Sequence, residues 1–256
     1  LLIPDQLSTI FTGKQFNYLP TCHSTNSLAE ELVLFDSIPS GYLVITAHQT
    51  NGKGQFGNTW DVEPGLNLTF SVIYKDINLP VCDQFFLNII TSLAVYQTLD
   101  TYVSKKIAVK WPNDIYCNHK KVAGILIKNY VRGSQIKNTI IGIGLNVNQE
   151  KFSSAKATSM QLLEGKVFDL SEILRSILEN LEVYFLKLLR NENKSLKDLY
   201  LQSLYLYNQN HQFESPHIGK FEGKIQGIDS LGNLEVLVDN QLKTFGLKEI
   251  SYSSSE

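Results

Sequence analysis

Cysteine is scarce in this 256-residue chain: three residues, Cys22, Cys82 and Cys117, an odd number at wide spacing. That fits neither a disulfide framework nor a zinc site, and a reducing cytoplasm is the simplest setting. Excess charge is also missing. The 23 Lys+Arg and 25 Asp+Glu leave a formal charge of −2, which gives no field to gather nucleic acid or an anionic membrane. The N-terminal Leu1-Leu2-Ile3-Pro4-Asp5 has no basic region and no long apolar segment, so no signal peptide is expected, and no stretch is apolar enough to span a bilayer. There is no room before residue 20 for a helix-turn-helix, so sequence-specific DNA binding is not expected. Low-complexity runs are absent as well.

What is present is a core. Hydrophobic residues at 43% and aromatics at 11% predict a folded globule, either one large domain or a large domain with a small appendage.

In chain order, Phe16 to Leu19 reads as a strand running into Cys22-His23-Ser24-Thr25-Asn26. Ser27-Leu28-Ala29-Glu30 matches the S-x-x-E capping box and predicts a helix of about three turns. A plain N-cap is the simpler reading of its hydroxyls; a ligand contact is the sharper one. Strands are predicted at 42–46 and along Leu66, Leu68, Phe70 and Val72, the latter half-buried by alternation. A long buried helix follows from Asp83 to Tyr102, then strands at 107–111, 115–117, 122–130 and 136–147, with turns at Asn118-His119 and Arg132-Gly133-Ser134. This pattern predicts an α+β domain, an antiparallel or mixed sheet with helices on one face. Helices are expected at about 171–190 and 194–206. From His211 the texture changes to short strands with turn signals, which suggests a small barrel, and the boundary falls at Asn208, dividing the chain into 1–207 and 208–256.

Two stretches carry chemistry. The first is Gln49-Thr50-Asn51-Gly52-Lys53-Gly54-Gln55-Phe56-Gly57-Asn58-Thr59-Trp60. It satisfies G-x-G-x-x-G, but that dinucleotide fingerprint needs a helix directly after the glycines, and here Pro64-Gly65 leads into another strand. A kinase reading fails for want of H-R-D and D-F-G, and there is no G-K-[ST] for a P-loop. What survives is a side-chain-poor loop whose backbone N–H groups can approach an anion, with Lys53 at its tip and Trp60 as a flat apolar wall.

The second stretch runs from Lys110-Trp111-Pro112-Asn113-Asp114 through Lys121-Val122-Ala123-Gly124-Ile125-Leu126. Period-2 alternation puts Lys110 and Trp111 on opposite faces, although Pro112 interrupts the strand. Lys121 opens the next strand, and a strand-end lysine commonly just points outward. Gly124 inside a good strand, with Gly142 and Gly144 in Ile141-Gly142-Ile143-Gly144-Leu145-Asn146, marks either tight packing or a narrow cavity with floor and lid.

Together, in order, S-T-N, Q-x-x-G-x-G-x-x-G-x-x-W, K-W-P-N-D, K-x-A-G-I-L and I-G-x-G-x-N resemble the catalytic domain of the biotin protein ligases, the biotin–[acetyl-CoA-carboxylase] ligases, over about residues 20–148. The resemblance implies a class II synthetase-like biotin/lipoate ligase fold: a mixed β-sheet covered by helices, with a small C-terminal SH3-like β-barrel. It also implies a monofunctional, cytoplasmic enzyme without an N-terminal DNA-binding domain. Biotin and ATP, with Mg²⁺, would give biotinyl-5′-AMP, and a lysine of the biotin carboxyl carrier protein of acetyl-CoA carboxylase would then displace AMP.

By motif position, Lys121, Lys53 and Asp114 would be catalytic. Ser24, Thr25, Asn26, Gln49, Gly52, Lys53, Gly54, Trp60, Lys121, Gly124, Gly142 and Gly144 would form the biotin site. Lys53, Gln55, Trp60, Lys110, Asn113 and Asn146 would meet the adenylate, and no residue is assigned to a metal. Lys53 stands where the family usually has arginine, which keeps charge but loses the bidentate fork. Gln55 and Phe56 replace arginines of some members, leaving a less basic loop. Lipoate and octanoate ligases of the same fold are the alternative reading, as is a non-catalytic biotin-binding sensor. Open sheet edges allow a homodimer.

Overall fold

β-Branched and leucine-rich runs pair into one large sheet. The computed structural model, which describes residues 4, 6–60 and 62–253, orders it as β1 (Phe16–Leu19), β2 (Tyr42–Thr46), β3 (Leu68–Tyr74), β8 (Gln135–Leu145), β7 (Lys120–Arg132), β6 (Asp114–Cys117) and β5 (Ile107–Lys110). The two-residue β4 (Leu79–Pro80) pairs with the start of β8. β1 runs parallel to β2 and the other neighbours are antiparallel, so the sheet is mixed. Asn118 and His119, both at positive φ, make the two-residue turn between β6 and β7. The residues read for a signal peptide, apart from Pro4, lie outside the described residues, as do residues 254–256.

Helices cover both faces, where one was expected. Leu43, Ile45, Phe70, Val72, Ile141 and Ile143 form one face with α2 (Phe85–Tyr102) and α4 (Leu170–Leu189). α2 lies between the sheet and both α4 and α5 (Asn193–Ser203), which explains why it is apolar around most of its circumference. The intervening residues Val44, Ile73 and Ile140 face the other way and pack on Ala29 and Val33, in and just beyond α1 (Thr25–Leu32). All seven residues of β3 are therefore buried, and the alternation that suggested a solvent face instead separates two covered ones.

α1 begins earlier than the capping box implied. Its N-cap is Ser24, whose side chain accepts from the Ser27 N–H, so Thr25 and Asn26 are already helical and buried. It is only eight residues long. Beside it, toward the end of β8 and the start of β7, the same face receives the 49–60 loop.

A second, antiparallel sheet follows from Asn210, in the order β12 (Gln241–Phe245), β11 (Leu234–Val238), β10 (Gly219–Ile228), β9 (Asn210–Ser215) and β13 (Ser251–Tyr252). Its Phe213, Ile225, Leu234 and Val236 join the same hydrophobic cluster as α2 and Trp111. Gly232, at φ +87°, lets Phe85 of α2 come so close that a Cβ there would sit 2.0 Å from its ring. The Gly232 carbonyl also accepts from Trp111 Nε1 at 2.9 Å.

The N-terminal lead is held by one buried carboxylate. Glu182 of α4, 4% exposed, accepts from the N–H groups of Ile10, Phe11 (3.0 Å) and Thr12 (2.8 Å). Replacing it by alanine strands buried donors, at a cost of about 3 kcal/mol. Urea denaturation should show that loss for Glu182→Ala and a smaller one for Glu182→Gln. An unchanged midpoint for the alanine variant would mean that this carboxylate does not anchor the lead.

Candidate active site

On the face shared with α1, cross-strand register builds two rows. Thr69, Gly144 and Gly124 are successive neighbours on β3, β8 and β7, and Ser71, Gly142 and Leu126 form the next row. Three of the six lack a side chain, so the sheet presents a shallow floor. Two protein groups descend onto it. A Cβ at Gly144 would lie 2.3 Å from the Trp60 indole, and one at Gly142 would lie 2.2 Å from Asn26 Oδ1. A Cβ at Gly124 would meet Trp60 at 3.1 Å and the Lys121 ammonium at 3.2 Å. These glycines therefore admit the residues that wall the slot. Gly52 does the same for backbone: a Cβ there would lie 2.2 Å from the Trp60 carbonyl oxygen.

The 49–60 loop is a narrow flap. Trp60 N–H donates to Gly52 O (2.9 Å) and Gly54 N–H to Asn58 O (2.7 Å), with a bridge between Lys53 and Thr59 and a single 3-10 turn over Gln55–Gly57. This pairing delivers Trp60 to the glycine floor and leaves Lys53 exposed on the cavity wall. The Phe56 side chain lies outside the described residues.

Beneath the flap is a cavity of about 260 Å³. Its walls include Ser24, Thr25, Asn26, Gln49, Lys53, Gly54, Gln55, Trp60, Asp114, Lys121 and the three floor glycines. At its polar end, Gln49 Oε1 accepts from the Thr25 N–H at 2.8 Å and its hydroxyl at 3.2 Å. The Ser71 hydroxyl, fully buried, lies 2.9 Å from Thr25 Oγ1 and 2.5 Å from Asn26 Oδ1. Asn26 in turn donates to Leu126 O at 3.2 Å. Such a chain fixes donors and acceptors at one end of the cavity, the arrangement that recognises a polar head group on a small molecule.

Lys121 stands elsewhere on the wall, its Nζ 2.7 Å from Asp114 Oδ1 and 5.7 Å from the Trp60 ring. Both side chains are about a third exposed, 32% and 31%, so the pair positions its partners more than it stabilises the fold. A second cavity of about 270 Å³ shares Thr59, Trp60 and Lys121 with the first and continues past Tyr116, Asn146, Phe152 and Lys156. The segment between β8 and the short α3 (Met160–Glu164) thus borders it. Asn146 holds this segment: its carboxamide donates to Thr158 O at 3.0 Å, and its carbonyl accepts from Met160 N–H at 3.2 Å.

The K-W-P-N-D stretch divides between two tasks. Asp114 reaches the first cavity. Asn113 is buried and links the flap to α2, accepting from Gln55 Nε2 (2.9 Å) and donating to Asn88 Oδ1 (2.6 Å). Lys110 lines neither cavity: its ammonium lies 4.7 Å from the centroids of both Tyr116 and Tyr252, and burial pushes its pKa down. Trp111 docks on the second sheet. Ser71 and Thr69 went unread as site residues because hydroxyls alternating with Leu68, Phe70 and Val72 look like the wet face of a strand; their spacing was the available signal.

Comparison with known proteins comes to the same region. Residues 18–146 match the biotin/lipoate A/B protein ligase family. The bifunctional ligase/repressor BirA of Bacillus spizizenii is 30% identical over 89% of this chain and 71% of its own length. The biotin–[acetyl-CoA-carboxylase] ligase of Mycobacterium tuberculosis is 27% identical over 90% of this chain and 86% of its own. Among solved structures, the biotin protein ligase from Aquifex aeolicus in complex with biotin and ATP superposes with a TM-score of 0.77 at 25% identity, covering 94% of this chain and all (100%) of that one.

The floor predicts a fluorescence result. A methyl at Gly144 displaces the Trp60 indole, so Gly144→Ala should raise the fraction of tryptophan emission that acrylamide quenches, Trp111 remaining buried. Quenching identical to the parent's would show that Gly144 is not what seats the indole.

Proposed function

The chain belongs to the biotin/lipoate A/B protein ligase family, and on that premise we propose that it is a biotin protein ligase, which activates biotin with ATP and transfers it to a carrier-protein lysine. One observation carries this reading: two cavities meet at Lys121 and Trp60, so a carboxylate in one and a triphosphate in the other would face each other across a cation. These two anions repel in solution, and fixed positive charge at the meeting point both gathers them and stabilises the transition state.

In the first half-reaction a biotin carboxylate oxygen bonds to the α-phosphorus of ATP. The bond from that phosphorus to the β-phosphate oxygen breaks, and pyrophosphate leaves with the electron pair. Lys121 holds the carboxylate and the acyl-phosphate oxygens, Lys53 adds charge from the flap, and the Thr25–Gln49 pair receives the ureido group. Trp60 covers the adenylate and excludes water from the mixed anhydride. In the second half-reaction the carrier lysine nitrogen attacks the biotinyl carbonyl, the bond to AMP breaks, and the amine loses a proton. Asp114, already bound to Lys121, orients or deprotonates that amine.

Mg²⁺ fits as a companion of the triphosphate. Among the described residues no group of three or more His, Cys, Asp or Glu could hold a metal, whereas Mg²⁺ is commonly held by phosphates, water and one or two carboxylates. It would neutralise phosphate charge. The partner is the biotin carboxyl carrier protein of acetyl-CoA carboxylase, in keeping with the name of the Mycobacterium relative. The three free thiols suit a reducing compartment, and we place the reaction in the cytoplasm.

ATP–pyrophosphate exchange tests the reading directly: it should depend on biotin and not respond to lipoate. Exchange driven by lipoate, or none with biotin, would sink it. Lys121→Ala should lower biotin-dependent exchange at least about a thousandfold with an unchanged circular dichroism spectrum. Normal exchange in that variant would remove Lys121 from catalysis. Asp114→Ala should slow transfer from preformed biotinyl-5′-AMP, and a parental transfer rate would rule out its role toward the amine.

A further inference from the structure

We infer that Lys156 is a phosphate-binding residue, holding the β- and γ-phosphates of ATP as they become the leaving pyrophosphate. This rests on the ligase reading above and concerns the second cavity, where the triphosphate would lie. Positive charge near the two cavities is in short supply. The flap is poor in it: Gln55 directs its amide to Asn113 Oδ1 and to Ile125 O (3.2 Å), which leaves Lys53 as the one cationic side chain between Gln49 and Trp60. Lys121 is engaged by Asp114 at 2.7 Å. Lys110 lines neither cavity: its ammonium lies against the Tyr116 and Tyr252 rings, of which Tyr116 borders the second cavity.

Lys156 is exposed on the wall of the second cavity, and among the described residues no carboxylate lies within ion-pair distance of it. Its backbone is nevertheless fixed. Lys121 N–H donates to Lys156 O at 2.8 Å, Thr158 N–H donates to Lys121 O at 2.9 Å, and Lys121 bridges Ala157 in parallel. Lys156 N–H also donates to Ser154 Oγ at 3.2 Å. This short pairing brings a second lysine beside the start of β7. Burial chiefly pushes the Lys110 pKa down; the Asp114 carboxylate opposes this, and the ammonium groups of Lys156 and Lys121 push it further down, as like charges gathered in one region do. A polyanion between them relieves that repulsion. When the bond from the α-phosphorus to the bridging oxygen breaks, the electron pair goes to pyrophosphate, and a cation at its far end lowers the barrier.

The experiment measures biotin-dependent ATP–pyrophosphate exchange and, separately, transfer from preformed biotinyl-5′-AMP, which carries no β- or γ-phosphate. Lys156→Ala keeps the carbonyl that pairs with Lys121. It should raise the KM for ATP and for pyrophosphate about tenfold while leaving biotin affinity and transfer unchanged. Lys156→Arg should restore most of the loss, and the difference should shrink as salt is added. Lys166→Ala, removing a lysine that lies over Phe168, serves as a control with parental values. Unchanged ATP KM in Lys156→Ala, with an active parent, overturns the inference alone. Equal losses in exchange and transfer also overturn it, because they indicate a structural role in holding Lys121. A parent with no biotin-dependent exchange overturns the ligase reading and this inference with it.

Discussion

Close approach to a bare patch of β-sheet is the constraint on which the site depends. Without side chains at Gly124, Gly142 and Gly144, the Asn26 carboxamide and the Trp60 indole lie against the floor, and each closes a different side of the slot. Asn26 is locked by Ser71 and by the Leu126 carbonyl. Trp60 is locked by the backbone pairing of the flap, which itself needs Gly52. Adding one methyl to the floor therefore disturbs the flap, the start of α1 or both.

The second sheet belongs to the same argument. The Trp111 indole donates to Gly232, the Gly232 turn receives Phe85 of α2, and the Lys110 ammonium sits on Tyr252. Lys110 and Trp111 thus face the second sheet, while Asn113 and Asp114 face the flap and the slot. Tyr200 of α5 donates to the Pro112 carbonyl between them at 2.6 Å. Five consecutive residues consequently tie the second sheet to the ion pair at Lys121. The second sheet acts here as a clamp on the loop that positions Asp114.

Much of the fold was legible. The strands from 107 to 147 and the long helices appeared within a few residues of their expected ends, because β-branched runs and helical spacing are local signals. The start of α1 was not, since Ser24 and Ser27 are both competent caps, and burial of Thr25 and Asn26 against Ser71 chose the earlier one. Nor was the cover on the second sheet face, because alternation in β3 cannot distinguish water from α1. For Gly142 and Gly144 the sequence leaves tight packing and a narrow cavity both open, and the structure has both: Asn26 and Trp60, from segments more than 80 residues away in the chain, pack on these glycines, and both line the first cavity.

The sequence alone determined which chemistry is available: a cation at Lys121, a carboxylate at Asp114, a glycine-rich flap with one lysine, and a run of motifs in order. Those are properties of residue type and short spacing, and they survive any packing. Tertiary structure decided how that chemistry is distributed. It turned Lys110 and Trp111 toward the second sheet, joined two cavities at Lys121, and set Lys156 beside them through a backbone pairing between β7 and the segment that follows β8. The physical reason is that side-chain direction at a broken strand, and pairing between distant segments, follow from which surfaces must be buried together. That demand is met by the whole chain at once.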